Sequence, residues 1–168
     1  MSLKINKSKL ETFLLIAKHL NKSFGVVPIL FGSLGLNKTI GEFKKSNDID
    51  ILLPDEFVNG RFKDLVDFMK VLSFRFKREI KEENEYEFAK GGEIVSFGGE
   101  DDLLVKLEMD SEKLKISQMK EASFKEFSPA QYLELYQFLA KNKNRRKENK
   151  KDSQKIRLIK KYIKSRSR

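Results

Sequence analysis

Asp48 and Asp50 stand either side of Ile49 in an apolar stretch. On a β-strand, residues two apart project from the same face, so the two carboxylates lie side by side. They repel unless a divalent cation or a cationic side chain sits between them. Upstream, an apolar run at residues 26–31 ends in Phe31-Gly32-Ser33. Gly32 allows the backbone to approach a ligand closely, and Ser33 opens a turn and short helix whose N-terminal amides attract phosphate. A phosphate cradle beside a metal-binding acid pair suits chemistry on a nucleoside triphosphate. An isolated Asp-x-Asp is more often a solvated strand edge, so this reading requires the two segments to meet in space.

Several elements must position these residues. Leu10, Phe13, Leu14, Ala17 and Leu20 recur at helical spacing, and Ser8 to Glu11 has capping-box spacing, which predicts a helix over residues 8–21. Residues 26–31 and 48–53 read as strands, the second stopped by Pro54. Phe62, Leu65, Val66, Met69 and Leu72 mark one face of an amphipathic helix. Strands are predicted over 73–80, 85–89 and 93–97, the last two joined by Gly91-Gly92, a hairpin signal. Alternation leaves 103–107 open between strand and short helix, and 114–127 reads as a short strand and loop. Ser128-Pro129 predicts the cap and first position of a helix, Asn142 to Asn144 a turn, and Ile156, Ile159 and Ile163 a final helix. The resulting fold class is α+β: a mixed sheet flanked by helices, with a C-terminal helical hairpin. The expected division is a core over residues 1–127 and a basic hairpin over 128–168 packed on it.

The pairing of F-G-S at Phe31 to Ser33 with D-I-D-I at Asp48 to Ile51 resembles the signature of the polymerase-beta-type nucleotidyltransferase superfamily. The order of elements is similar to its minimal core. Lys151-Asp152-Ser153-Gln154-Lys155-Ile156 partly resembles a helix motif of small members, such as lincosamide and aminoglycoside adenylyltransferases; Lys155 stands where an aspartate is usual. The resemblance implies transfer of a nucleoside monophosphate, AMP by family habit, from ATP or another triphosphate to a hydroxyl acceptor. It implies that Asp48 and Asp50 hold one or two Mg²⁺ ions with the triphosphate, that Gly32 and Ser33 bind its phosphates, and that the metal aligns an in-line attack.

Active members of that family add a third carboxylate on a later strand, and the matching residue here is Ser96. A serine is no carboxylate base at neutral pH and a weak Mg²⁺ ligand. Glu87, which shares a strand face with Glu85, is the expected substitute; Glu100-Asp101-Asp102, after Gly98-Gly99, is the alternative. The glycine doublet itself reads as a flexible strand exit, not a nucleotide loop. His19 reads as a surface or capping histidine. Tyr132 and Tyr136, one turn apart, either stack on a base or pack between helices, the commoner outcome. Lys141, Arg145 and Arg146 are candidates to reach the triphosphate.

The net charge of +10 is unevenly placed. Residues 141–168 carry 14 Lys+Arg and two acids, whereas residues 1–140 carry 21 Lys+Arg and 23 acids. A basic end of this kind attracts polyanions, a nucleic acid among them, or is a solvated helix. The absence of cysteine excludes disulfides and thiolate metal sites and fits a cytoplasmic location. No apolar run approaches membrane-span length. Three functions follow: a nucleotidyltransferase, a catalytically impaired protein of that fold that binds nucleotide or a partner, and a nucleic-acid-binding protein acting through its basic tail.

Overall fold

A computed structural model describes residues 2–41, 46–142 and 149–168. The described elements run α1 (Ser2–Phe24), β1 (Ile29–Phe31), α2 (Gly32–Ile40), β2 (Ile49–Leu53), α3 (Asp55–Gly60), α4 (Phe62–Val71) and β3 (Arg75–Ile80). They continue with β4 (Glu85–Lys90), β5 (Glu93–Gly99), α5 (Asp101–Lys106), β6 (Lys115–Met119), β7 (Ala122–Glu126), α6 (Pro129–Ala140) and α7 (Asn149–Arg166). The strands form one mixed sheet in the order β3-β4-β5-β2-β1-β7-β6. The β2–β5 and β1–β7 pairs are parallel and the others antiparallel.

Alternation along the central strands splits the core in two. Leu30, Ile49, Ile51, Leu53, Val95 and Phe97 bury one sheet face against Phe13 and Ile16 of α1 and Leu65 and Met69 of α4. Ile29 and Leu52 point the other way, into a second cluster with Leu36 of α2, Tyr132, Leu135 and Tyr136 of α6 and Ile159 of α7. Asp50 shares its parity with Leu52 and so lies on this second face. The C-terminal helices, which pack on each other, therefore cover part of the face that carries the acid pair.

Most sequence expectations hold, with informative departures. Ser8 is not a cap, because α1 begins at Ser2 and Ser8 lies inside it. The first strand is shorter than residues 26–31, starting only at Ile29. The open segment near 103–107 is helical, as α5. Residues 114–127 form a full hairpin, and β7 inserts beside β1. Its alternation is obscured because Lys125 and Glu126 are buried there, satisfied by Ser111 (2.9 Å) and by Lys38 and Ser117. Ser128 forms the expected cap, with Gln131 returning the bond to complete a capping box. The expected turn at Asn142 to Asn144 extends beyond the described residues, as do Arg145 and Arg146.

Candidate active site

Antiparallel pairing sets Phe31 opposite Asp50, so the chain leaves β1 into α2 directly beside the Asp50 side chain. Gly32, the first residue of α2, has φ +65°, a left-handed conformation costly for any residue with a Cβ. A Cβ there would lie 2.0 Å from Asp50 Oδ2, so no other side chain fits. A second close approach holds the helix down: a Cβ on Gly35 would meet the Tyr132 hydroxyl at 2.2 Å and the Leu30 carbonyl oxygen at 2.9 Å. The two motif segments therefore meet as the spacing requires, with Ser33 half-buried in the first turn of α2.

Asp48 precedes β2 and is half-buried. Lys9 of α1 pins its approach by donating to the Asn47 carbonyl oxygen at 3.2 Å. Burial raises the Asp48 carboxyl above its ordinary range; a backbone hydrogen bond opposes this, Glu87 adds repulsion, and Lys9 and Lys155 lower it. The Asp50 carboxyl is pushed up to about 8, first by burial, then by the negative charges of Asp48 and Glu85, with Lys155 opposing. Neither aspartate joins a salt bridge among the described residues. Lys155 comes from α7, where its ammonium also lies 4.7 Å from the Tyr136 ring centroid.

Across the sheet, Asp50 pairs with Ser96 on β5, and Ser96 with Glu87 on β4. Ser96 thus occupies the strand position expected for the third carboxylate. Its hydroxyl is buried with no hydrogen-bond partner of normal geometry, although Glu85 approaches it closely enough to lower the Glu85 carboxyl. Glu87 lies in the row but is not available as a free base. Arg78 on β3 grips both its oxygens, at 2.6 and 3.1 Å, and Lys77 stands 3.6 Å away. The Arg78 hydrogen bond holds the Glu87 carboxyl below its usual range. Glu85, two residues earlier on the same face, behaves oppositely: burial, then Glu83 and Glu87, push its carboxyl up to about 7. Both glutamates lie on the strand face expected from the sequence, and the cross-strand partner that neutralises Glu87 is Arg78, set by the β3 register.

The other candidates fall elsewhere. Glu100 is buried at the end of β5, near Ser111 and Lys125, and Asp101 donates its amide to Asp55 Oδ1 at 3.0 Å, so this acidic run serves another corner. Gly98 and Gly99 complete β5. Tyr132 and Tyr136 stack on each other inside the core, 6.2 Å between centroids, which is the packing outcome. His19 is half-buried against Phe68, at 5.9 Å, and not at a helix end. Lys141 is exposed just after α6. A cavity of about 270 Å³ lined by Gln118, Met119, Lys120, Glu121 and Ser123 sits on the β6–β7 hairpin and includes none of these residues.

Among the described residues no group of three or more acids or histidines is set to enclose a metal ion. Two carboxylates that join no salt bridge among the described residues, beside the N-terminus of α2, nevertheless fit Mg²⁺, which commonly takes one or two protein carboxylates and fills its remaining positions with phosphate oxygens and water. Asp48 and Asp50 are the residues that would hold it.

The fold is that of nucleotidyltransferases. An antigenic nucleotidyltransferase-like protein from Paracoccidioides brasiliensis superposes with a TM-score of 0.62 at 13% identity, over 90% of this chain and 75% of its own. ANT(2")-Ia in complex with adenylyl-2"-tobramycin gives 0.58 at 13% identity, over 94% of this chain and 90% of its own. No protein-family model matches the sequence. The chain is 30% identical over 154 residues to Uncharacterized protein YnaI of Bacillus subtilis (strain 168), covering 91% of this chain and 96% of that protein, and it belongs to the same family.

Proposed function

We propose that the protein transfers a nucleoside monophosphate, AMP from ATP, to a hydroxyl acceptor. The observation that carries this reading is the contact geometry of Gly32 and Asp50: a helix start suited to phosphate abuts a carboxylate pair that is destabilised without a cation. The backbone amides after Gly32 and the Ser33 hydroxyl bind the triphosphate. Asp48 and Asp50 would hold Mg²⁺, which would neutralise charge at the phosphates. The acceptor oxygen bonds to the α-phosphorus as the bond to the bridging oxygen of the β-phosphate breaks, and pyrophosphate leaves. The acceptor's proton passes to a carboxylate, and Glu85 suits that task better than Glu87, being in no ion pair among the described residues and poised near neutrality. ANT(2")-Ia, whose structure holds adenylyl-2"-tobramycin, supports adenylyl transfer as the reaction type. The acceptor hydroxyl is that of a small molecule, a protein or an RNA, and the cysteine-free chain suits a reducing cytoplasm.

A serine in place of a carboxylate beside Asp50, at Ser96, favours one rival, a protein of this fold that binds nucleotide without turnover. Calorimetric titration of ATP with and without Mg²⁺, on wild type, Asp48→Asn and Asp50→Asn, tests the site: metal-dependent binding should vanish in both variants. Labelled ATP incubated with cell extract then tests transfer. Binding with no labelled product identifies the rival; variants that bind Mg·ATP like wild type overturn both readings.

A further inference from the structure

The face of α7 that turns away from the protein has no role in the site described above. Asp152 and Ile159 are buried, and α7 packs on α6 through that side. Arg157, Lys160, Lys161 and Lys164 fall at i, i+3, i+4 and i+7, which places them on one stripe of the helix, and all four are exposed. Among the described residues none of the four is in an ion pair. The only acid on the helix, Asp152, is on the buried side. Four cations without an ion pair among the described residues lie in one row over ~10 Å of helix, where solvated lysines would normally be interspersed with acids.

We infer that this stripe binds the phosphodiester backbone of a nucleic acid. Three observations select that partner. Stable binding to an anionic membrane takes an apolar face in addition to cations, and the apolar side of α7 is already buried against α6. A protein partner would require apolar or aromatic anchors and few lysines, but the exposed residues around the stripe are Lys150, Ser153, Gln154 and Ser165. A nucleic-acid interface, by contrast, is strongly positive and polar and needs only regularly spaced cations. The inference does not depend on catalysis, since the stripe points away from the buried side of α7 and Asp48 and Asp50 take no part in it.

The test is fluorescence anisotropy of the full-length protein with labelled single-stranded RNA of about 20 nucleotides, with DNA of the same sequence and with a duplex as separate arms. Four phosphates neutralised on a single strand predict a loss of affinity of about 50-fold between roughly 50 and 200 mM salt. The variant Arg157→Gln, Lys160→Gln, Lys161→Gln, Lys164→Gln should flatten that dependence to a few-fold while binding Mg·ATP as wild type does. A control, Lys63→Gln, Lys70→Gln, Lys81→Gln, Lys115→Gln, removes the same charge from other exposed positions and should retain the wild-type salt response. Asp50→Asn should also retain it, which separates this surface from the nucleotide site. Equal loss in the control, loss in Asp50→Asn, no binding at low salt, or capture by anionic vesicles instead of RNA would each overturn the inference.

Discussion

At the scale of single residues, the site rests on one glycine and on which of two glutamates is free. Gly32→Ala forces a Cβ into the Asp50 carboxylate and holds a left-handed φ that costs on the order of 1–2 kcal/mol by itself. The expected result is a protein destabilised by at least that amount in urea titration, with Mg·ATP binding lost because Asp50 is displaced. Glu85→Gln and Glu87→Gln discriminate between neighbours two residues apart. If Glu85 takes the proton, Glu85→Gln reduces transfer by a factor of 10² or more with nucleotide affinity kept. Glu85→Gln combined with Ser96→Asp should recover part of the rate by returning a carboxylate to β5. Glu87→Gln loosens the Arg78 clasp, in which the arginine is exposed and the glutamate buried, and should leave transfer within a few-fold. A single-turnover assay with labelled ATP reads all three variants, and equal rates for Glu85→Gln and wild type would remove Glu85 from the mechanism.

At the scale of elements, the sequence exposes what is periodic and hides what is paired at a distance. Phe31-Gly32-Ser33 and Asp48-Ile49-Asp50 were legible because strand alternation and a glycine before a helix are local signals. The Glu87–Arg78 clasp was not, since it depends on a β3–β4 register with an irregularity between Phe76 and Arg78. The β6–β7 hairpin escaped for a related reason: Lys125 and Glu126 sit on a buried strand and break its alternation, their charges met by α2 and the neighbouring hairpin strand and loop. Likewise α7 could be drawn as a helix from Ile156, Ile159 and Ile163, but not that Lys155 on it would act on Asp48 and Asp50. That contact yields an element-scale prediction. Lys155→Met leaves the helix packed, removes a cation acting on both aspartates, and should weaken Mg·ATP binding by about 1 kcal/mol, roughly fivefold. Calorimetry at fixed pH checks it, and an unchanged affinity would detach α7 from the nucleotide site.

At the scale of the whole molecule, the acid pair should make stability depend on pH in a direction opposite to that of carboxylates paired with cations in the folded state. Asp50 rises from 3.8 to about 8 in the folded chain, so between those values the folded state binds more protons than the unfolded state. Stability therefore falls as pH climbs from about 4 towards 8 and levels off above that range, with Glu85 adding a parallel loss between 4.5 and about 7. The chain's net charge of +10 acts the other way, since acidification adds positive charge and self-repulsion. Asp50→Asn carries that background without the titrating carboxyl, so the difference between the two proteins isolates the site. Thermal melts without metal should show Asp50→Asn gaining several degrees over wild type at pH 8.5 and little at pH 5. Mg·ATP should reverse the order at pH 8.5, raising the melting temperature of wild type and not of the variant, because only an ionised pair binds the metal and ligand binding to the folded state stabilises it. Melting curves for the two proteins that stay parallel from pH 5 to 8.5 would mean that Asp50 is not held in a destabilised, cation-seeking state, and the nucleotide site would lose its electrostatic basis.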